Sequence, residues 1–254
     1  MSGTGSSRSE DAGASSPRPA EEEWLARALD YPYGAPRRSY ILDGGRERPF
    51  DPDATDGRVP VVAYGSNQSP RQLRRKFGQK GGAPIPVERA RLAEHDVVYS
   101  AHLSMYGAVP AALRHVPGTM VDVAVTWLDQ DQLVAMHTTE VPNSNYGFAR
   151  LEGIALALEG GGRLETAYVY LSIRGHLALD GAPVALAEVR ADGRGLGAAP
   201  QSHMLARVRD RLEPGASLSA FVAGTLSDHG TRRARIAALA AHAIPAAHPP
   251  GTMY

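Results

Sequence analysis

The sequence predicts an α+β fold, a small mixed β-barrel with flanking helices, on three observations. Between residues 59 and 190 many segments are apolar or alternating over strand lengths, those segments are uneven in length, and stretches with a helical period are few. With 254 residues and 43% hydrophobic content the chain is long enough for one sizeable core.

Residues 1–22 are Gly, Ser, Ala, Pro and charge. They cannot bury enough apolar area to offset the entropy of ordering, so a disordered tail is expected there. Trp24, Leu25, Ala28 and Leu29 fall on one face of a short helix ended by the Pro32 to Pro36 region. That helix opens a loop-rich extension over residues 23–58, with a strand at Ser39 to Leu42. The barrel domain is expected over residues 59–195. Val59 to Ala63 has no polar side chain and reads as a strand buried on both faces. Ser69-Pro70-Arg71-Gln72 reads as a capping box with proline at the first helical position, opening a helix to about Phe77. Asp96 to Ser100, Met120 to Leu128, Tyr146 to Leu158 and Thr166 to Ile173 read as strands. In the second of these Val121, Val123, Val125 and Trp127 take alternate positions, as one core-facing side requires. Asp129, with Gln132 three residues on, caps a helix to about Thr139. Leu177 to Gly181 and Val184 to Arg190 flank Asp180-Gly181, which suggests a hairpin. A helical extension over residues 196–244 contains helices at Gln201 to Leu212 and Thr231 to Ala243, and residues 245–254 read as a loose tail.

Twenty-seven basic residues balance twenty-seven acidic ones, so no net field draws the chain to nucleic acid or to an anionic membrane. No nucleic-acid partner is expected. The chain has no cysteine, which excludes disulfides, a thiolate zinc site and a cysteine nucleophile. The first residues hold no apolar signal-peptide core, and no run of about eighteen apolar residues appears, so a cytoplasmic protein without membrane contact is expected. His102, His115, His137 and His203 lack metal-ligand spacing and read as structural or exposed.

Two features carry chemistry. A buried strand that turns through Gly65 into Ser66-Asn67 and then into a helix leaves several backbone N–H groups pointing one way, a site for an anion or oxyanion. An ordinary strand-to-helix turn uses the same residues. The second feature is Glu140, which shares a helix face with Leu133 and Met136. In an apolar setting a carboxylate is pushed toward general-base use near neutral pH. If the helix ends before Thr139, Glu140 instead sits on an exposed loop. Arg71, Arg74, Arg75 and Lys76 form a basic helix face beside the loop, read as solvated, with attraction of an anionic substrate as the alternative. Ser66 is not in a Gly-x-Ser-x-Gly elbow. Asn67-Gln68-Ser69 matches a glycosylation sequon without a secretory context, and Gly193 to Gly197 lacks the spacing of a dinucleotide fingerprint.

Taken together, Val62-Ala63-Tyr64-Gly65-Ser66-Asn67, Pro117-Gly118 before Val121 to Leu128, Gln132-Leu133, Glu140 and Asn145-Tyr146 resemble, in order and spacing, the γ-glutamylcyclotransferase-like family. The similarity covers about Val59 to Tyr170. The chain departs from that pattern at Gln68, where the family has a large apolar residue, and at Val141, where it has glycine. The resemblance implies an enzyme, a transferase or lyase without cofactor or metal, that cyclises a γ-glutamyl amine or amino acid to pyroglutamate and releases the amine. By the same resemblance Glu140 is the general base, the amides of Gly65, Ser66 and Asn67 hold a carboxylate or oxyanion, and Tyr64 and Tyr146 line the pocket. A non-catalytic module binding an acidic metabolite in the same pocket, acyl or amide transfer at the same carboxylate, and a homodimer all stay open.

Overall fold

A computed structural model of the chain describes residues 19–78, 82–140, 145–246 and 251–253. Most of the expected N-terminal tail, and Val141, lie outside the described residues. Helix α1 (Pro19–Leu29) is followed by the hairpin β1 (Tyr40–Asp43) and β2 (Arg46–Pro49), then by β3 (Val59–Ala63) and α2 (Pro70–Phe77). The long strands β4 (Ile85–Tyr99) and β5 (Ala111–Leu128) lead through α3 (Gln130–Glu140) into β6 (Tyr146–Leu158) and β7 (Arg163–Ser172). Three two-residue strands follow, β8 (Ala185–Leu186), β9 (Ala191–Asp192) and β10 (Ala198–Ala199). Helices α4 (Gln201–Leu212), α5 (Leu218–Ser227) and α6 (His229–Ala240) and strand β11 (Gly251–Met253) complete the order.

Strands β4, β5, β3, β7 and β6 are hydrogen-bonded in that order, and β6 returns to pair with β4, so five strands close a barrel. Only β3 and β7 run parallel within the ring. The fold is therefore α+β, a small mixed barrel with helices around it. The apolar stretch Val61-Val62-Ala63 faces two cores at once. Val62 packs in the barrel interior with Leu92, Val123 and Val169, whereas Val61 and Ala63 pack with Leu73, Leu133 and Met136 under α2 and α3. That double burial is why this strand carries no polar side chain.

The β4–β5 pair bends sharply. Its register shifts between Ala93 and His95, where Glu94 at φ 60° stands opposite residues 116–119 and Gly118 takes φ 79°. A glycine is needed there because an L side chain is strained at that φ. The Gly118 amide donates to the Glu94 carboxylate, which fixes the bend. The bend lets Ala111, at the far end of β5, meet the loop after β3.

One expected cap is present, and several other expected elements differ. Asp129 and Gln132 form a reciprocal cap: the Gln132 amide donates to Asp129 Oδ1 at 2.8 Å and the Asp129 amide to Gln132 Oε1 at 3.1 Å. The box expected at Ser69 and Gln72 does not form, because both side chains are buried under the loop, where Ser69 Oγ and Gln72 Oε1 have no partner among the described residues. No hairpin forms about Asp180-Gly181. Instead β8 pairs with β4 and, in parallel, with β10. Helix α5 is an element the periodicity did not suggest, and residues 251–253, expected as loose tail, add to the edge of β6. Met204, Leu205, Val208, Phe221 and Val222 of the C-terminal helices belong to the barrel's own core cluster. No helix among the described residues is long and apolar enough to cross a membrane.

Asp96 ties the 193–195 loop to the barrel. Its fully buried carboxylate accepts two hydrogen bonds from the Arg194 guanidinium, each at 2.8 Å. Removing one partner strands a buried charge. Asp96→Ala is expected to lower unfolding free energy by about 3–5 kcal/mol, against less than about 1 kcal/mol for Asp192→Ala in an exposed ion pair, as read by denaturant titration.

Candidate active site

The end of β3 delivers the loop. After Ala63 the chain runs through buried Tyr64 to Gly65, and Ser66–Gln68 form one 3-10 turn before α2 begins. The N–H groups of Gly65, Ser66 and Asn67 have no hydrogen-bond partner among the described residues. A side chain at position 65 has no room, since a Cβ there would lie 2.7 Å from the Tyr31 hydroxyl and 3.2 Å from Ala111 Cβ. Glycine at this position thus lets the loop pass between α1's exit and the folded-over end of β5.

Helix α3 delivers Glu140 as its last residue. Leu133 and Met136 are buried on the same side, as the spacing predicts. The setting of the carboxylate, however, is not apolar. Glu140 Oε1 accepts from Asn67 Nδ2 at 3.0 Å and forms an ion pair with Lys76 of α2. Lys76 and Glu140 side chains are 8% and 15% exposed, so the pair is largely shielded from water. Glu140 Oε2 has no partner among the described residues.

All six residues singled out for the site, Tyr64, Gly65, Ser66, Asn67, Glu140 and Tyr146, line one cavity of about 340 Å³. The two tyrosines offer rings, not hydroxyls. Tyr64 donates to the Tyr170 carbonyl at 2.6 Å, and Tyr146 donates to the Ala111 carbonyl at 2.8 Å. The Ala111 amide in turn donates to the Tyr31 hydroxyl at 2.9 Å, so one β5 residue anchors two tyrosines of the wall. Burial, and then neighbouring charge including that of Glu140, raises the Tyr64 and Tyr146 phenols far above their ordinary range. They stay neutral at any working pH.

Among the lining groups that the sequence does not reveal, four carry or can carry charge. Lys76 and Arg75, read as part of a solvated face with attraction of an anionic substrate as the alternative, line the cavity together with Arg27 of α1. Arg71 and Arg74 point elsewhere, to Asp30 and to Glu47 with the Gly45 carbonyl. Arg27 lies 5.0 Å over the Tyr106 ring and Arg75 5.2 Å over that of Tyr33, so these guanidinia rest on aromatic faces and, among the described residues, pair with no carboxylate. Burial, then the charges of Arg27 and Arg71, lowers the Arg75 pKa. A helix wheel shows the basic stripe but not which members turn inward. His102 is the fourth, a fully buried wall residue whose Nδ1 lies 2.7 Å from Ser100 Oγ, itself 2.6 Å from Ser172 Oγ. Burial, then the charge of Arg174, lowers its pKa to about 3. Among the described residues no three His, Asp or Glu side chains gather as metal ligands.

No protein-family model matches the chain, and no curated protein matches it. Among solved structures it is similar to a gamma-glutamyl cyclotransferase, with 19% identity and a TM-score of 0.36 over 45% of this chain and 66% of that one. It is also similar to an uncharacterized protein from Homo sapiens, with 17% identity and a TM-score of 0.37 over 54% of this chain and 68% of the other. The chain spans about two thirds of the length of each. Likenesses this partial say what the chain is similar to and nothing of what it acts on.

Two outcomes follow from the wall. Gly65→Ala forces the Tyr31 hydroxyl aside and is expected to destabilise the protein by about 1–3 kcal/mol. Combined with Tyr31→Phe the loss should be less than additive, which a double-mutant cycle by thermal unfolding measures. The second concerns acid. His102 is neutral when folded down to about pH 3 but titrates near 6.5 when unfolded, so the unfolded state binds the extra proton between these values. Stability should be full above pH 6.5 and fall as pH drops toward 3. His102→Asn should flatten that slope in denaturant titrations from pH 7 to 4.

Proposed function

We propose that the chain is a γ-glutamylcyclotransferase-like enzyme that converts a γ-glutamyl amine or amino acid to pyroglutamate and the free amine. The observation that carries this reading is the meeting of Glu140 with the Gly65–Asn67 loop across one small cavity, bridged by the 3.0 Å contact from Asn67 Nδ2 to Glu140 Oε1. Carboxylate and unpaired amides are within reach of one ligand, as such chemistry requires.

In this reading the α-ammonium of the substrate gives a proton to the unoccupied Glu140 Oε2. The freed amine attacks the substrate's own γ-carbonyl carbon, forming the ring C–N bond and an oxyanion. Unpaired amides of Gly65, Ser66 and Asn67 are suited to that oxyanion. Collapse of the intermediate breaks the original amide bond as Glu140 returns its proton to the leaving nitrogen; the freed carboxylate then takes the second proton from the ring nitrogen, leaving the neutral lactam, and passes it to the released amine, which departs as an ammonium. The ring closes within one molecule, so positioning supplies much of the rate. Asn67 and Lys76, both on Oε1, fix the carboxylate so that Oε2 faces the substrate. Arg27 and Arg75 are placed for an anionic group on the substrate.

One observation favours a second reading. Glu140 already has a resident cation in Lys76, as a carboxylate would in a module that only binds an acidic metabolite through Arg27, Arg75 and the loop amides. The two separate in one assay. With γ-glutamyl compounds as a panel, pyroglutamate release is expected from the wild type and a loss of at least about 100-fold from Glu140→Gln. Turnover that survives the substitution removes Glu140 from its role. Absence of turnover across the panel, with tight binding of an acidic ligand, assigns the binding module.

A further inference from the structure

Behind the Gly65 loop lies a second and larger cavity, of about 910 Å³, within the range of small-molecule sites. Gly65 and Tyr31 line both cavities, so the loop is a partition between them. Gln68, the polar residue where the family pattern is apolar, belongs to the rear side. It is 5% exposed, its carbonyl accepts from the Tyr40 hydroxyl at 3.0 Å, and its side-chain Oε1 accepts from Arg89 Nη1 at 2.5 Å. Position 68 is polar because a half-buried guanidinium needs an acceptor there.

Arg89 has no carboxylate partner within ion-pair distance among the described residues. Burial works against its charge, while Asp122 and Glu159 support that charge from farther off. Both carboxylates are engaged elsewhere through one oxygen each: Asp122 Oδ1 meets Arg91 at 3.4 Å, and Glu159 Oε2 accepts from the Ser39 amide and hydroxyl. Their second oxygens have no partner among the described residues. The wall thus presents free guanidinium N–H groups and free carboxylate oxygens that do not satisfy each other. Across the whole lining four guanidinia face four carboxylates, so neither sign dominates. A purely anionic ligand meets the rim carboxylates, and a purely cationic one meets Arg89. A molecule bearing both charges meets a partner for each.

We propose that the rear cavity binds a small zwitterion, a free α-amino acid or short peptide, with its carboxylate on Arg89 and its ammonium toward Glu159 and Asp122. The site stands apart from Glu140 and does not depend on the reaction proposed for the front cavity.

The test titrates the full chain by calorimetry with free L-amino acids and dipeptides, with glutarate and cadaverine as controls of one sign, while the Arg89 Nε–H resonance is followed by NMR. A zwitterion of the panel is expected to bind at one site and shift that resonance, with the controls at least about tenfold weaker. Arg89→Met should weaken binding at least about tenfold and Arg89→Lys less, since a lysine keeps the charge but not the fork. Glu140→Gln should leave this binding unchanged. Equal binding by Arg89→Met, glutarate binding as tight as any zwitterion, or no binding by any panel member overturns the proposal. Should Arg89→Met fail to melt cooperatively, Glu159→Gln on the exposed rim decides instead. It should weaken the zwitterion and strengthen glutarate, and no change in either overturns the proposal.

Discussion

Closure of the barrel through the β4–β6 pairing sets the geometry on which everything at the site depends. A ring of five strands with one parallel pair brings the carboxyl ends of β3 and β7 side by side. The Tyr64 hydroxyl can therefore reach the Tyr170 carbonyl, and Tyr146 of β6, one strand beyond β7, lines the same cavity as the Gly65 loop. The Tyr170 hydroxyl, 2.8 Å from His137 Nδ1, extends the same row of contacts to α3 one turn before Glu140. With α2 and α3 packed over the second core, on Leu73, Leu133 and Met136, Lys76 and Glu140 are brought to the loop from different helices.

The bend in β4–β5 does the complementary work. Without the four residues opposite Glu94 the pair would continue away from the barrel. Bent there, its far end lies against Gly65, and the two backbone groups of Ala111 hold Tyr31 and Tyr146. Backbone atoms of a strand are less mobile than side chains, so these rings line the cavity on a rigid support. The same loop then has two faces, one toward Glu140 and one toward Arg89, separated by the thickness of a glycine.

What was legible in the sequence was whatever depends on neighbours along the chain. The Asp129–Gln132 cap, the apolar β3 and the strand at Tyr146–Leu158 follow from local spacing and stand where the spacing puts them. Glu140 on the Leu133 and Met136 face was legible for the same reason. The Ser69–Gln72 box was not, because burial under the loop overrides a local capping preference, and Asp180-Gly181 reads as a turn whichever strands surround it. Arg27, Arg75 and Lys76 arrive at the cavity from helices separated in sequence. His102 lacks any metal-ligand spacing, and its buried link to Ser100 and Ser172 exists only once β4 and β7 are assembled.

Several polar groups of the front cavity are already committed within the protein. Tyr64 and Tyr146 donate their hydroxyl hydrogen bonds to backbone carbonyls, and His102 is held neutral by burial. None of the three is ready to exchange a proton with a ligand near neutral pH. Glu140 is the one carboxylate among the described residues of this wall, and with Oε1 engaged by Asn67 and Lys76 its Oε2 is the oxygen left without a partner among them. In the cyclisation proposed above one group takes a proton and later returns it, and Glu140 would be that group, with the Lys76 ammonium at its other oxygen.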